Sequence, residues 1–129
     1  MMEHILRGTL MISTIKQSVF VLESCEHREH LLMYDTDVAI TTNLTHDHHD
    51  YYPTLGSYQS AFAKLRQQTQ TAIILPEDDS ELVTLAESAT PTAPIIPVTP
   101  IAIDFAHIRG SFWSYNASLA LVAWEQIDP

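Results

Sequence analysis

Residues 37–50 read Asp-Val-Ala-Ile-Thr-Thr-Asn-Leu-Thr-His-Asp-His-His-Asp, an apolar segment followed directly by a polar loop. Residues 37–43 are rich in β-branched side chains and end in polar ones, a pattern that predicts a β-strand. In a parallel α/β sheet, ligands bind beyond the carboxyl ends of the strands. The polar loop at residues 42–50 is therefore where we expect a functional site.

Apolar segments of strand length occur at intervals along the rest of the chain. They predict four more strands, at residues 9–13, 19–23, 71–75 and 95–96. Between them lie segments whose apolar residues recur at helical spacing. Strands that are continuously apolar and alternate with helices are typical of an α/β domain with a mainly parallel sheet flanked by helices, and this is the fold class that we predict.

Three helices are predicted from the spacing of apolar residues and from residues that can cap a helix. The first has one apolar face at i, i+3, i+4 and i+7, formed by Tyr58, Ala61, Phe62 and Leu65. Ser80 and Ser114 are candidate N-caps of the other two. One or two helical turns are predicted at residues 26–33, and residues 1–7 are predicted to end a helix at Gly8.

The composition limits the classes of protein to which this chain can belong. Its 129 residues fit one domain, and 46% of them are hydrophobic, which is enough for a folded core. The formal net charge is −10, from 16 acidic and 6 basic residues, which disfavours binding to a nucleic-acid backbone. The apolar runs are of strand length, too short to cross a bilayer. Cys25 is the single cysteine, which excludes an internal disulfide and is typical of a reducing cytoplasm.

Three histidines and two aspartates occupy residues 46–50, so this loop could bind a metal ion or transfer protons. A second acidic position, Glu23, ends the strand predicted at residues 19–23. If the two strands are parallel neighbours, Glu23 and His48 lie at the same edge of the sheet, where a carboxylate and an imidazole would suit Mg²⁺ bound to a nucleotide. The alternative interpretations are a solvated polar loop and an exposed charge at a strand end.

These two segments resemble two motifs of the Mur ligases, ATP-dependent enzymes that form amide bonds during the synthesis of peptidoglycan precursors. Residues 20–26, Phe-Val-Leu-Glu-Ser-Cys-Glu, are similar to the family's strand that ends in a magnesium-binding glutamate. Residues 37–50 are similar to its partner strand, which ends Thr-Asn-x-x-x-Asp-His-x-Asp. The matching positions are Thr42, Asn43, Asp47, His48 and Asp50. The two motifs occur in the family's order, so together they are more specific than either one alone.

The resemblance implies a central, nucleotide-binding domain that uses ATP and Mg²⁺ in the complete enzyme. It implies that Glu23 and His48 hold the magnesium ion, and that Asn43 and Asp47 shape the loop around it. The implied partners of the complete enzyme are a UDP-N-acetylmuramate-type substrate and an amino acid. A cytoplasmic location is implied as well.

A third segment, residues 110–117, resembles the family's Gly-x-His-Asn-x-x-Asn-Ala motif, in which an asparagine contacts the adenine. Asn116 matches that asparagine, whereas Phe112 and Trp113 replace the usual histidine and asparagine. The resemblance therefore implies that Asn116 binds the nucleotide. The alternative interpretation is an ordinary polar residue in the first turn of a helix.

The helix after the polar loop suggests a branch of the family. Several Mur ligases carry a carbamylated lysine four residues after a tyrosine in this helix. Here the residue four positions after Tyr58 is Phe62, and Lys64 is out of register. An apolar residue at this position is more similar to the UDP-N-acetylmuramate–L-alanine ligases, which add the first amino acid.

The family's phosphate-binding loop has no counterpart in the sequence. A Gly-x-x-x-x-Gly-Lys-Ser/Thr loop needs two glycines and a lysine in one turn. The glycines are Gly8, Gly56 and Gly110, and the lysines are Lys16 and Lys64. We therefore expect residues 1–129 to form a single, partial central domain that lacks this loop and also lacks the family's UDP-sugar and C-terminal domains. On that expectation the isolated chain does not catalyse ligation.

Two other interpretations stay open. Residues 45–50 are also similar to the Thr-His-x-His-x-Asp-His loop of metallo-β-lactamase-type hydrolases, in which histidines and an aspartate bind metal ions that activate water. Against this interpretation, Tyr51 replaces the last histidine, and only His107 remains as a later candidate ligand. In the second interpretation the chain is a non-catalytic interaction module that self-associates through open sheet edges.

Overall fold

A computed structural model describes residues 9–15, 18–88, 92–101 and 110–127 of the chain. Within these ranges the strands are β1 (Thr9–Ile15), β2 (Ser18–Ser24), β3 (Val38–Thr41), β4 (Ala72–Pro76) and β5 (Ile95–Val98). The helices are α1 (Leu55–Gln68), α2 (Ser80–Ser88) and α3 (Ser111–Glu125), and a short 3-10 helix spans His27–Leu32. The helix end predicted at residues 1–8 and the candidate ligand His107 lie outside the described residues.

The strands are ordered β2-β1-β3-β4-β5 across the sheet. The β3, β4 and β5 strands pair in parallel, whereas β1 is antiparallel to both β2 and β3. Among the described strands, β2, β3, β4 and β5 therefore run in one direction and β1 runs in the opposite direction. This confirms the prediction of a mainly parallel sheet.

The expectation that β2 and β3 are neighbours is wrong, because β1 lies between them. Only two residues separate β1 from β2 along the chain, and a connection that short joins antiparallel neighbours rather than parallel ones. The carboxyl ends of β2 and β3 still point the same way. They are separated by two strand spacings, about 10 Å.

Helices cover both faces of the sheet, and every residue of β3 and β4 is buried. Side chains alternate between the faces of a strand. Ile73 and Leu75 accordingly pack in the cluster that contains residues of α1 and α2, and Ile74 packs in the cluster that contains residues of α3. The domain thus has three layers, and burial on both faces explains why its central strands are continuously apolar. No helix in the described ranges is long and apolar enough to cross a membrane.

The α1 helix and the 3-10 helix bring the segment after β2 to the loop after β3. The side chain of Thr54 accepts a hydrogen bond from the N–H of Ser57 at 3.1 Å and forms the capping box at which α1 begins. The 3-10 helix contributes Leu31, which packs with Ala39 of β3 and Leu65 of α1. This small cluster places residues 25–27 beside the polar loop.

Two of the predicted helix caps are wrong. The α2 helix begins at Ser80, but Asp79 is the residue whose Oδ1 accepts the bond from the N–H of Leu82, at 3.0 Å. The α3 helix begins after Gly110, before the predicted cap Ser114, and Gly110 makes no side-chain cap. Asp and Ser are about equally good N-caps, so propensity alone does not choose between adjacent polar residues.

Substituting Asp79→Ala is expected to lower the free energy of unfolding by about 1 kcal/mol, because the N–H of Leu82 loses its acceptor. A urea titration followed by circular dichroism measures the change. Asp78→Ala is the matched control, since Asp78 is exposed in the same turn, and we expect it to change stability by less than about 0.5 kcal/mol. Equal losses in the two variants would contradict a capping role for Asp79.

Candidate functional site

The polar loop after β3 is anchored at both ends by buried side chains. Leu44 and Tyr52 are only 5% and 3% exposed and belong to the core cluster that contains α1. The Nε2 atom of His46 lies 2.9 Å from the carbonyl oxygen of Tyr52 and so closes the loop on itself. Residues 47–51 are therefore presented from a base that the core holds in place.

His48 lies in this loop with a left-handed backbone conformation, φ 53°, which residues other than glycine rarely adopt. Its N–H donates to Oδ1 of Asp47 at 2.6 Å, and its carbonyl oxygen accepts from the N–H groups of Tyr51 and Tyr52. Such a conformation persists where the surrounding contacts hold it, and conformations of this kind concentrate at functional sites.

The imidazole of His48 meets the residues that follow β2. Its Nε2 atom lies 3.6 Å from Sγ of Cys25 and 3.6 Å from Oε1 of Glu26. The ring of His27 stacks on it with a centroid distance of 4.7 Å, and Nε2 of His27 lies 3.6 Å from Oδ2 of Asp50. Among the described residues, these side chains form two groups of three potential metal ligands, and His48 is common to both.

Two buried tyrosines hold Glu26 in place. The hydroxyl of Tyr58 donates to Oε1 of Glu26 at 3.1 Å, and the hydroxyl of Tyr52 donates to the Glu26 carbonyl oxygen at 2.6 Å. Burial raises the pKa of Tyr52 to about 12 and also raises the pKa of Tyr58, an effect to which the charge of Glu26 adds. Both phenols are therefore protonated at neutral pH and act as donors.

Cys25 lies at the solvent-facing side of this arrangement. Its Sγ atom accepts a hydrogen bond from the N–H of His27 at 3.4 Å and faces Nε2 of His48. Partial burial, assisted by the negative charge of Glu26, raises the pKa of the thiol. In the absence of a cation, Cys25 is thus a neutral thiol near pH 7.

The site residues proposed from the sequence fall in three places. Glu23 is exposed at the end of β2, opposite Leu10 of β1, and belongs to neither group of potential metal ligands. The side chain of Asn43 accepts a hydrogen bond from the N–H of Thr45 at 3.4 Å, and the side chain of Asp47 accepts one from the N–H of His48. Both side chains therefore bind the loop backbone. Asn116 is half-buried on α3.

Cys25, Glu26 and His27 were not predicted as site residues from the sequence. A signal was present, because all three residues directly follow β2 and therefore lie at the carboxyl edge of the sheet. Their distance from His48 could not be read from the sequence, because His48 Nε2 and Cys25 Sγ belong to residues 23 positions apart.

A pocket of about 460 Å³ opens beyond the carboxyl ends of β3 and β4. Thr42 and Asn43 line it from the polar loop, and the start of α2 and the side of α3 complete it. The remaining lining residues are Pro76, Asp78, Asp79, Ser80 and Tyr115. Its position is the crevice in which open α/β sheets bind ligands, and its volume is within the usual range of about 300–1,000 Å³.

Residues 6–97 match the family model of the Mur ligase middle domain. The matched range is more than two thirds of the chain and contains both segments on which the resemblance rests, at residues 20–26 and 37–50. This match does not support the metallo-hydrolase interpretation of the polar loop. No solved structure matches the chain.

Proposed function

The chain belongs to the Mur ligase family through its middle domain, and we propose that it is the nucleotide-binding part of an ATP-dependent ligase. The reaction proposed for the complete enzyme forms an amide bond to a UDP-N-acetylmuramate-type precursor of peptidoglycan. The observation that carries the proposal is the pocket at the carboxyl ends of β3 and β4, which Asn43 of the family's loop motif lines. The family and the single cysteine support a cytoplasmic location.

The pocket suits the nucleoside better than the phosphates. Tyr115 offers an aromatic ring to a base, and Asn43 offers an amide, which both donates and accepts hydrogen bonds. Asp78 and Asp79 are acidic, so they repel phosphate but are good acceptors for ribose hydroxyls. Asn116 follows Tyr115 on α3, and we propose that it contacts the adenine.

The phosphates would then extend toward the loop that carries His48. We propose that Glu23 and His48 hold magnesium there, because β2 and β3 run in the same direction, Glu23 lies near the carboxyl end of β2, and His48 lies in the loop after β3. Carboxylates and an imidazole at this edge are a donor set that can take up magnesium together with phosphate oxygens. When bound, magnesium would neutralise charge on the transferring phosphoryl group.

In the proposed reaction, a carboxylate oxygen of the UDP-sugar substrate attacks the terminal phosphorus of ATP, and ADP leaves. The amino group of the incoming amino acid then attacks the acyl carbon, and phosphate leaves as the amide bond forms. In this chain, Asn43 and Asp47 keep the loop backbone in shape, and the core beneath Leu44 and Tyr52 fixes its position. Such pre-organisation lowers the cost of positioning charged groups.

Within the family, we propose addition of the first amino acid, L-alanine. Phe62 supports this branch, because it occupies the position of the modified lysine of other members and is 3% exposed in the core cluster. We also propose that the 129-residue chain by itself binds the nucleotide without catalysing ligation, since its sequence has no phosphate-binding loop. Self-association through the edge strand β2, which exposes Phe20 and Val21, stays a prediction.

Saturation-transfer NMR with ATP and Mg²⁺ tests nucleotide binding by the chain. We expect the strongest transfer to the adenine protons, with a Kd on the order of 1 mM, because the phosphates have no glycine-rich loop to bind. Adenosine should compete with ATP for the site. Absence of transfer to any ATP proton at millimolar concentrations would contradict the proposal.

A tyrosine pair supplies the matched variants for this experiment. Tyr115→Leu removes the aromatic face from the pocket and keeps an apolar side chain against the core cluster of α3, so we expect severalfold weaker transfer. Tyr34→Leu makes the same change at an exposed position that precedes β3, at the opposite edge of the sheet, and should leave the transfer unchanged. Equal effects of the two substitutions would show that the nucleotide binds elsewhere.

A further inference from the structure

Cys25, Glu26 and His48 direct three different kinds of metal ligand to one point. A thiol sulfur, a carboxylate oxygen and an imidazole nitrogen all lie within 4.8 Å of one another. The sulfur and the oxygen are each 3.6 Å from Nε2 of His48. Two of these groups come from the segment after β2 and the third comes from the loop after β3, so the fold brings them together.

The distances from Nε2 of His48 to the other two atoms are close to those of a tetrahedral site. Zinc binds sulfur at about 2.3 Å and nitrogen at about 2.0 Å, which places tetrahedral ligand atoms about 3.5 Å apart. The observed 3.6 Å between Cys25 Sγ and His48 Nε2 matches that separation. A carboxylate oxygen of Glu26 lies at the same 3.6 Å from the nitrogen, and the sulfur of Cys25 lies within 4.8 Å of a carboxylate oxygen of Glu26. The two distances to Nε2 of His48 are therefore close to those that a bound ion requires.

Outer contacts hold each of these ligands in place. Tyr58 donates to the Glu26 oxygen that faces His48, and Tyr52 donates to the Glu26 backbone. The His48 ring is stacked by His27, which in turn lies beside the carboxylate of Asp50. Hydrogen bonds and packing of this kind around the ligands orient them and increase the affinity of protein metal sites.

We propose that Cys25, Glu26 and His48 form a binding site for a divalent transition-metal ion, with zinc as the preferred ion. A thiolate is a soft ligand that magnesium and calcium disfavour, whereas zinc accepts sulfur, nitrogen and oxygen together. The three protein ligands leave one tetrahedral position for water. This inference goes beyond the proposed ligase function and needs no nucleotide.

Because His48 is shared, zinc at this site competes with the magnesium that we propose for the nucleotide complex. An ion coordinated by the Cys25 sulfur occupies the nitrogen of His48 and the space in front of it. Zinc is therefore expected to weaken the binding of ATP in the presence of magnesium, and removal of zinc with a chelator should restore it.

Titration of the reduced chain with Co²⁺ tests the site, because cobalt substitutes for zinc and is visible spectroscopically. We expect one ion per chain, visible bands typical of tetrahedral cobalt, and a near-ultraviolet charge-transfer band that reports a cobalt–sulfur bond. Addition of zinc should displace the cobalt and abolish the bands. Cobalt binding without the charge-transfer band, or no binding at micromolar chain concentrations, would overturn the proposal.

Single substitutions distinguish the proposed metal ligands from residues that only lie near them. Cys25→Ser is conservative at an exposed position, and it should remove the charge-transfer band and weaken cobalt binding at least tenfold, or about 1.4 kcal/mol. Tyr58→Phe should weaken binding by about tenfold and keep the band, as expected of an outer contact. His30→Ala, an exposed histidine of the 3-10 helix, is the control for His48→Ala. Equal losses of cobalt binding in His30→Ala and His48→Ala would also overturn the proposal.

The two proposals fail in different ways. Cobalt binding with the sulfur band, but without any binding of ATP, supports the metal site and rejects the nucleotide function. Binding of ATP with magnesium, but no cobalt–sulfur band, rejects the metal site and leaves the nucleotide function in place. Circular dichroism of each variant confirms that the chain is folded before metal is added.

Discussion

Replacing Ile74 with alanine is expected to lower the free energy of unfolding by about 4 kcal/mol, within the range of about 2–5 kcal/mol observed for such core substitutions. Ile74 is fully buried at the centre of β4, where it packs in the cluster that includes Val38, Ile40 and Leu119. Strands flank it on both sides and α3 covers it, so the surrounding structure can relax only slightly into the cavity. The loss therefore combines the transfer free energy of the removed atoms with the cost of the cavity.

Chemical denaturation of the purified chain measures this change, provided that the slope with denaturant is unaltered. Ile101→Ala is the matched control, because it removes the same atoms from a side chain that is 54% exposed. We expect the control to lose less than about 0.5 kcal/mol. Similar losses at the two positions would contradict the burial of β4 between two helical layers.

Raising the pH from 10 to 12 is expected to destabilise the fold through the buried tyrosines. The unfolded chain ionises a tyrosine near pH 10, whereas burial raises the pKa of Tyr52 in the folded chain to about 12. The stability contributed by this neutral phenol is therefore fully present below pH 10 and is lost as the pH rises through 12. For Tyr52 the loss is on the order of 2 kcal/mol, and Tyr58, whose pKa is also raised by burial, adds to it.

We isolate the contribution of Tyr52 by comparing unfolding curves of the natural chain and of Tyr52→Phe at pH 9, 10, 11 and 12. The variant loses the hydrogen bond to Glu26 at every pH, but its stability should fall less steeply above pH 10. Burial of Arg66 has the opposite effect on stability as the pH rises, because it lowers the pKa of the guanidinium to about 10. Arg66 is present in both proteins, so its contribution cancels when their free energies of unfolding are subtracted. Tyr34→Phe is the control, because Tyr34 is exposed. The prediction would be contradicted if the stability of the natural chain and that of Tyr52→Phe changed in parallel with pH.

The layered α/β architecture was predictable because its signals are local. The continuous apolar runs of β3 and β4 mark burial on both faces, and the spacing of Tyr58, Phe62 and Leu65 marks one buried helical face. The errors occurred where one local signal competed with another. Asp79 caps α2 beside the predicted Ser80, because adjacent polar residues have similar capping propensity. The α3 helix begins after Gly110 without a side-chain cap, so its start lacks the capping signal on which the prediction of Ser114 rests.

The order of the strands was not predictable in the same way. The β2 and β3 segments follow each other along the chain, but β1, which precedes both, lies between them in the sheet. Hydrogen bonds between strands join residues that are distant along the chain, and the apolar pattern of a strand does not identify its partner. The neighbouring position assumed for β2 and β3 is therefore wrong, whereas the common direction of the two strands is right.

Local sequence alone was sufficient to identify the class of fold, the family motifs and the loop that carries His48, because strand propensity, helical periodicity and short motifs are properties of contiguous residues. The ligands around His48 were decided only by the tertiary structure. A hairpin, a 3-10 helix anchored by Leu31 and two tyrosines from the loop and from α1 together carry Cys25 and Glu26 to within 3.6 Å of its ring. Those contacts depend on packing between segments, and packing is not encoded in any one of the segments that it joins.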